Sequence, residues 1–149
     1  MFKRILVPTD GSALSTRAAT YAIKLAHEQR ARLVALHVIP FYNPATFADG
    51  VMPYAELYSL EDYQRAAKED AKRMLERIAK RAAAAKVPCE TVHASAEAAW
   101  RGITEEARKR RCDLIVMASH GRGGLKGLLL GSETTKVLAH SKTPVLVTR

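Results

Sequence analysis

Between Ser119 and Ser132 the chain concentrates residue types that hold an anion. Gly121, Gly123 and Gly124 follow Ser119 and His120, Arg122 and Lys126 add positive charge, and Gly131 stands directly before Ser132. Glycines let the backbone turn with positive φ and bring bare N–H groups against a ligand. Gly131-Ser132 reads as a helix start, where N–H groups without helical acceptors and the positive end of the helix dipole face outward. Together the two features suit a phosphate chain. Immediately upstream, Asp113-Leu-Ile-Val-Met-Ala118 is an apolar run with a β-branched centre, the pattern of a strand covered on both faces in a parallel sheet.

Two common phosphate motifs do not account for this segment. A P-loop needs a Gly-Lys pair, and the chain has none. Gly121-x-Gly123-x-x-x-Gly127 has a superficial likeness to a dinucleotide fingerprint, yet the next helix pattern begins only at Ser132, so no compact βαβ unit surrounds it. Catalysis has less support still. His120 has no identifiable acid or base partner in the sequence, and no cluster of carboxylates accompanies the glycines to hold an ion. We therefore assign no catalytic residue and no metal ligand. His27, His37, His93 and His140 lack ligand spacing, and Cys89 and Cys112 read as small buried hydrophobes.

The elements that must position these residues follow from periodicity. Arg4 to Val7 is a short strand ending at Pro8-Thr-Asp10-Gly-Ser12, with Ser12 placed to cap a helix that carries Leu14, Ala18, Ala22, Leu25 and Ala26 to about His27. Arg32 to Ile39 is a second strand, stopped by Pro40. From Phe41 to Ser59 periodicity fails, and the aromatic residues there suit either a lid or a satellite cluster beneath a loop. A long helix pattern runs from Leu60 to near Lys86, and Cys89 to Ala94 alternates as a third strand. Ser95 is expected to cap a helix bearing Ala99, Trp100, Ile103 and Ala107, with Trp100 in the core; the chain closes with a helix from Ser132 and a strand, Pro144 to Thr148.

Five strands alternating with four helices predict an α/β fold: one domain over residues 1–149, a three-layer, Rossmann-like arrangement with a parallel sheet and helices on both faces. Alternation leaves the strand order open. If the first strand is central and the fourth lies on its other side, the loops Pro8–Ser12 and Ser119–Leu130 meet at a topological switch point and line one cleft.

From Ile5-Leu-Val-Pro-Thr-Asp-Gly-Ser12 to Thr143-Pro-Val-Leu-Val147 the chain resembles the universal stress protein family. In members that bind ATP the phosphate loop reads Gly, two residues, Gly, nine residues, Gly, then Ser or Thr. The matching positions are Ala118, Gly121, Gly131 and Ser132, so alanine takes the place of the first glycine. The resemblance implies sheet order 3-2-1-4-5 and a site for ATP or another adenine nucleotide, with or without Mg2+. Asp10 and the backbone at Val38 would meet the adenine end, the main chain at Ala118 the ribose, and Gly121, Gly131, Ser132 and Glu133 the phosphates. Each has a plainer reading as well: Asp10 arranging its turn, Val38 in the core, Ser132 capping its helix. The function implied is a stress-response regulator acting through a dimer and a protein partner. Alternatives are an interaction protein without nucleotide and a slow ATP hydrolase.

A net charge of +9 and a pI near 9.8 attract nucleic acid, acidic membranes and small anions alike. Much of that charge falls on helical stretches, Lys68 to Arg81 and Arg108 to Arg111, which suits solvated faces. No nucleic-acid motif with interleaved aromatics and no membrane-length apolar run accompanies it, so neither nucleic acid nor membrane is expected as a partner. With no leader pattern at Met1 to Pro8, a cytoplasmic setting is expected. The last strand should lie at a sheet edge, where Val145 and Val147 favour pairing with a second copy.

Overall fold

Ile5, Leu6 and Val7 are wholly buried in the first strand, β1 (Arg4–Pro8), as an aliphatic run must be when helices cover both faces of a sheet. The computed structural model describes residues 1–41, 59–121 and 130–149. After β1 come α1 (Ala13–Gln29), β2 (Arg32–Pro40), α2 (Leu60–Ala84), β3 (Cys89–Ala96), α3 (Ala99–Lys109), β4 (Leu114–Ala118), α4 (Ser132–His140) and β5 (Val145–Thr148). All strand pairs are parallel, in the order β3-β2-β1-β4-β5. Val7 pairs with Ala35, Ile5 with Leu114 and Met117 with Val147. The expected three-layer sheet and its 3-2-1-4-5 order are thus the observed ones.

Alternation along the strands splits the core in two. Ile5, Val7, Leu33 and Val116 pack on one face against Ala22 of α1 and Leu75 and Ile78 of α2. Leu6, Val34, Leu36 and Ile115 pack on the other against Ile103 of α3 and Val137 of α4. The first two helices start on serine side chains: Ser12 accepts from the Ser15 N–H at 3.1 Å, and Ser59 does the same for Asp62 at 3.1 Å, whereas α4 starts at Gly131 and not, as its sequence also allowed, on a Ser132 cap. Outside the strands, Asp113 accepts from the backbone N–H groups of Lys3 at 2.8 Å and Arg4 at 3.1 Å, tying the start of the chain to the foot of β4.

One boundary differs from expectation. Ser95 does not cap a helix; β3 continues through it, pairing Ile39 with Ser95 and Pro40 with Ala96. The N-cap of α3 is Ala98, which has no side-chain acceptor to offer. Trp100 is half-buried rather than deep in the core, its ring 4.4 Å from that of His140 at the seam between α3 and α4. The segment 42–58, with its choice between lid and satellite cluster, lies outside the described residues, as do Arg122, Gly123, Gly124 and Lys126.

Candidate functional site

The loops after β1 and β4 meet. A Cβ added to Gly121 would lie 2.6 Å from Asp10 Oδ2, so the Asp10 carboxylate rests against the main chain of residue 121 in a space that a side chain there would take. Between these loops opens a cleft of about 480 Å³. Asp10 and Val38 line it from β1 and β2, Ala118 and Gly121 from the end of β4, and Gly131, Ser132 and Glu133 from the start of α4. Every residue singled out as a ligand contact therefore faces one space, at the carboxyl ends of the strands where the sheet changes direction.

The floor is built by the turn into α1. Thr9 donates its backbone N–H to Leu36 O at 2.8 Å, and its hydroxyl lies 3.1 Å from Ser15 Oγ while accepting from the Gly11 N–H at 3.1 Å. Gly11 has φ 79°, a conformation suited to glycine. Asp10 Oδ1 accepts from the Ser12 N–H at 3.0 Å, so the carboxylate arranges the turn as well as facing the cleft.

The opposite wall is the start of α4. Gly131 donates to Ser119 O at 2.7 Å and the Thr134 hydroxyl to Ala118 O at 3.0 Å, which fixes the helix on the end of β4. The N-cap, Gly131, carries no side chain that would occupy the first N–H groups, and the positive end of the dipole points into the cleft.

Glu133 is committed elsewhere. Its Oε2 accepts from the Trp100 N–H at 2.7 Å and its Oε1 lies 3.4 Å from Lys136 Nζ. The carboxylate thus supplies α3 with the cap that Ala98 lacks, and what Glu133 retains for a ligand is its main-chain N–H. Glu133→Ala should destabilise the fold by about 1–2 kcal/mol, with Glu133→Gln recovering part of the loss because an amide oxygen can still accept. Urea unfolding of the two variants checks this; equal stability of Glu133→Ala and wild type would contradict it.

Several lining residues carried no signal in sequence. His37 directs Nδ1 to Thr9 O at 2.8 Å, and Ile103 and Met117 supply apolar wall. His37 sits within the apolar run of the second strand, where nothing marks it apart from a core histidine. His120 places Nδ1 3.1 Å from Ser119 Oγ, and its buried Nε2 has no hydrogen-bond partner among the described residues. Neither cysteine belongs to the site. Burial pushes the Cys112 thiol up to about 11 and raises that of Cys89, so both remain neutral at ordinary pH. Among the described residues no group of His, Cys, Asp and Glu is arranged to hold a metal ion. The cleft thus sets apolar wall from Val38, Ile103 and Met117 beside the N-terminal end of α4.

The model of the universal stress protein family matches residues 1–149. The universal stress protein YxiE of Bacillus subtilis is 35% identical over 149 residues, covering all of both chains. Among solved structures, the hypothetical protein MJ0577 superposes with a TM-score of 0.82 at 27% identity, over 99% of this chain and 96% of that one. A universal stress protein in complex with cAMP superposes with a TM-score of 0.68 at 26% identity, over 99% of this chain and 97% of that one. Matched from first residue to last, with the sheet order its motifs implied, the chain belongs to the universal stress protein family.

Proposed function

We propose that this chain binds ATP or another adenine nucleotide, with or without Mg2+, as a stress-response regulator that signals through a dimer and a protein partner. One observation carries the reading: a cleft of about 480 Å³ has apolar walls at one end and the start of α4, uncapped by any side chain, at the other. The adenine ring lies toward Val38 and Asp10, the ribose beside the main chain of Ala118, and the phosphates among Gly121, Gly131, Ser132 and the Glu133 N–H. A family member in complex with cAMP supports the choice of an adenine nucleotide. The turn of Glu133's carboxylate toward Trp100 supports it too, because one oxygen of that charge is engaged at another helix start. His120 lines the cleft beside Gly131, but its described hydrogen bond is to Ser119 Oγ at 3.1 Å and not to a carboxylate that would orient it as a general base, so the groups assembled here favour binding over turnover. Mass spectrometry of small molecules released from gently purified protein tests the reading: an adenine nucleotide is expected, and its absence together with failure to bind added ATP would favour an interaction protein that has given up the nucleotide.

The regulator works as a single domain over residues 1–149 in the cytoplasm. No described helix is long and apolar enough to cross a membrane. The dimer forms through β5, which pairs with β4 alone among the described strands and leaves Leu146 43% exposed. Val147→Lys should convert a dimer into a monomer at micromolar concentration, read by sedimentation; a monomeric wild type would rule out this arrangement.

A further inference from the structure

The edge of the sheet opposite the cleft carries a row of cations. Each connection that feeds a strand exposes one: Lys3 before β1, Arg30 and Arg32 at β2, Lys86 before β3, Arg111 before β4 and Lys142 before β5. Because all strand pairs are parallel, these positions share one edge. With neighbouring strands about 4.8 Å apart, the row extends roughly 19 Å across the molecule.

These cations form no ion pairs among the described residues, whereas Glu90, Glu106 and Asp113 near them are engaged. Arg110 pairs with Glu90 and Glu106, and Asp113 accepts from the Lys3 and Arg4 N–H groups. Glu28, in the last turn of α1, is the exposed carboxylate of this edge. Helix dipoles account for only part of the row. A cation after a helix meets the negative end of the dipole, but Lys3 and Arg32 stand at no helix end. Backbone geometry adds a second observation: Arg30, Lys86 and Arg111 hold φ values of 54°, 57° and 51°, the left-handed region where glycine fits without strain. Long basic side chains occupy all three of these turns.

We infer that this edge is a docking surface for an extended acidic polypeptide segment of a partner protein. Nucleic acid fits it less well. Phosphates are held by backbone N–H groups and helix N-termini as well as by cations, and the helix N-termini here all lie at the opposite edge. Most helix C-terminal carbonyls at this edge already accept from the turns that follow them, Ala26 and His27 from Ala31 and Arg30, Ala82 and Ala83 from Val87 and Lys86, Ala107 and Arg108 from Cys112 and Arg111. What the edge offers is its cations without the N–H donors of a helix start, and the carboxylates of an acidic segment are their complement.

Fluorescence anisotropy with a labelled octaglutamate peptide at low salt tests the assignment. The triple variant Arg30→Gly, Lys86→Gly, Arg111→Gly should bind about tenfold more weakly than wild type while its thermal midpoint does not fall, because glycine suits those backbone angles. Arg32→Gln with Lys142→Gln, which leaves the left-handed turns untouched, should weaken binding in the same direction. Undiminished affinity in both variants would overturn the proposal. So would absence of peptide binding by the wild type, or tighter binding to a short DNA duplex or to phosphatidylserine vesicles than to the peptide.

Discussion

Replacing Gly131 with valine will weaken ATP binding by at least about a hundredfold, while Ser132→Ala will cost only about 1–2 kcal/mol, five- to thirtyfold. The asymmetry follows from the start of α4. A Cβ at position 131 would lie 3.2 Å from Ser119 O and 3.3 Å from His120 Cα, both main-chain atoms that cannot swing aside. Valine adds two methyls to that contact, so the helix start must move off the end of β4 and take its N–H donors with it. Ser132→Ala leaves every N–H in place and removes one hydroxyl. Calorimetry on both variants separates the cases; unchanged affinity in Gly131→Val would place the phosphates away from α4.

Gly102→Ala will destabilise the fold by about 1–3 kcal/mol, the reverse of what glycine-to-alanine usually does within a helix. In an open helix the change gains about 1 kcal/mol from backbone entropy and propensity. Here the added Cβ would stand 2.8 Å from both γ-carbons of Val38 and 3.4 Å from Ala96 Cβ. A β-branched side chain on a central strand has few rotamers to retreat into. Val38 lines the cleft, so the same substitution presses on the proposed adenine wall and should weaken nucleotide binding together with stability. Urea denaturation and ATP titration of the one variant read both effects. Greater stability than wild type would show that Val38 moves aside freely.

Periodicity made most of this fold legible. The apolar runs at Ile5, Leu33 and Leu114 are buried strands, and the Leu75–Ile78–Ala82 face of α2 is core, because a sheet covered twice allows no other placement for such runs. The cleft was legible from glycines and a helix start, which betray close backbone approach without any alignment of side chains. What sequence concealed depends on contacts between distant residues. Nothing in Ser95-Ala-Glu-Ala98 says that the strand will run on through Ser95, since the strand pairing is with Ile39. Nor does Glu133 reveal that its carboxylate caps a helix thirty-three positions upstream, at Trp100. Gly102 carries no turn signal and owes its place to Val38, on a strand that only the folded sheet brings beside α3. His37 reads as one more residue of an apolar strand until Thr9 is set against it.

The central claim is that an adenine nucleotide occupies the cleft between the β1 and β4 loops and is held there rather than consumed. Calorimetric titration of ATP into the purified chain, with and without Mg2+ and with released phosphate measured in the same samples, addresses it most directly. A saturable isotherm approaching one nucleotide per chain, with ATP intact over the titration, is the predicted result. No binding heat under either condition across a range of temperatures would contradict the account, and turnover near one per second would show an enzyme where a binding module is predicted, since that lies within ordinary catalytic rates.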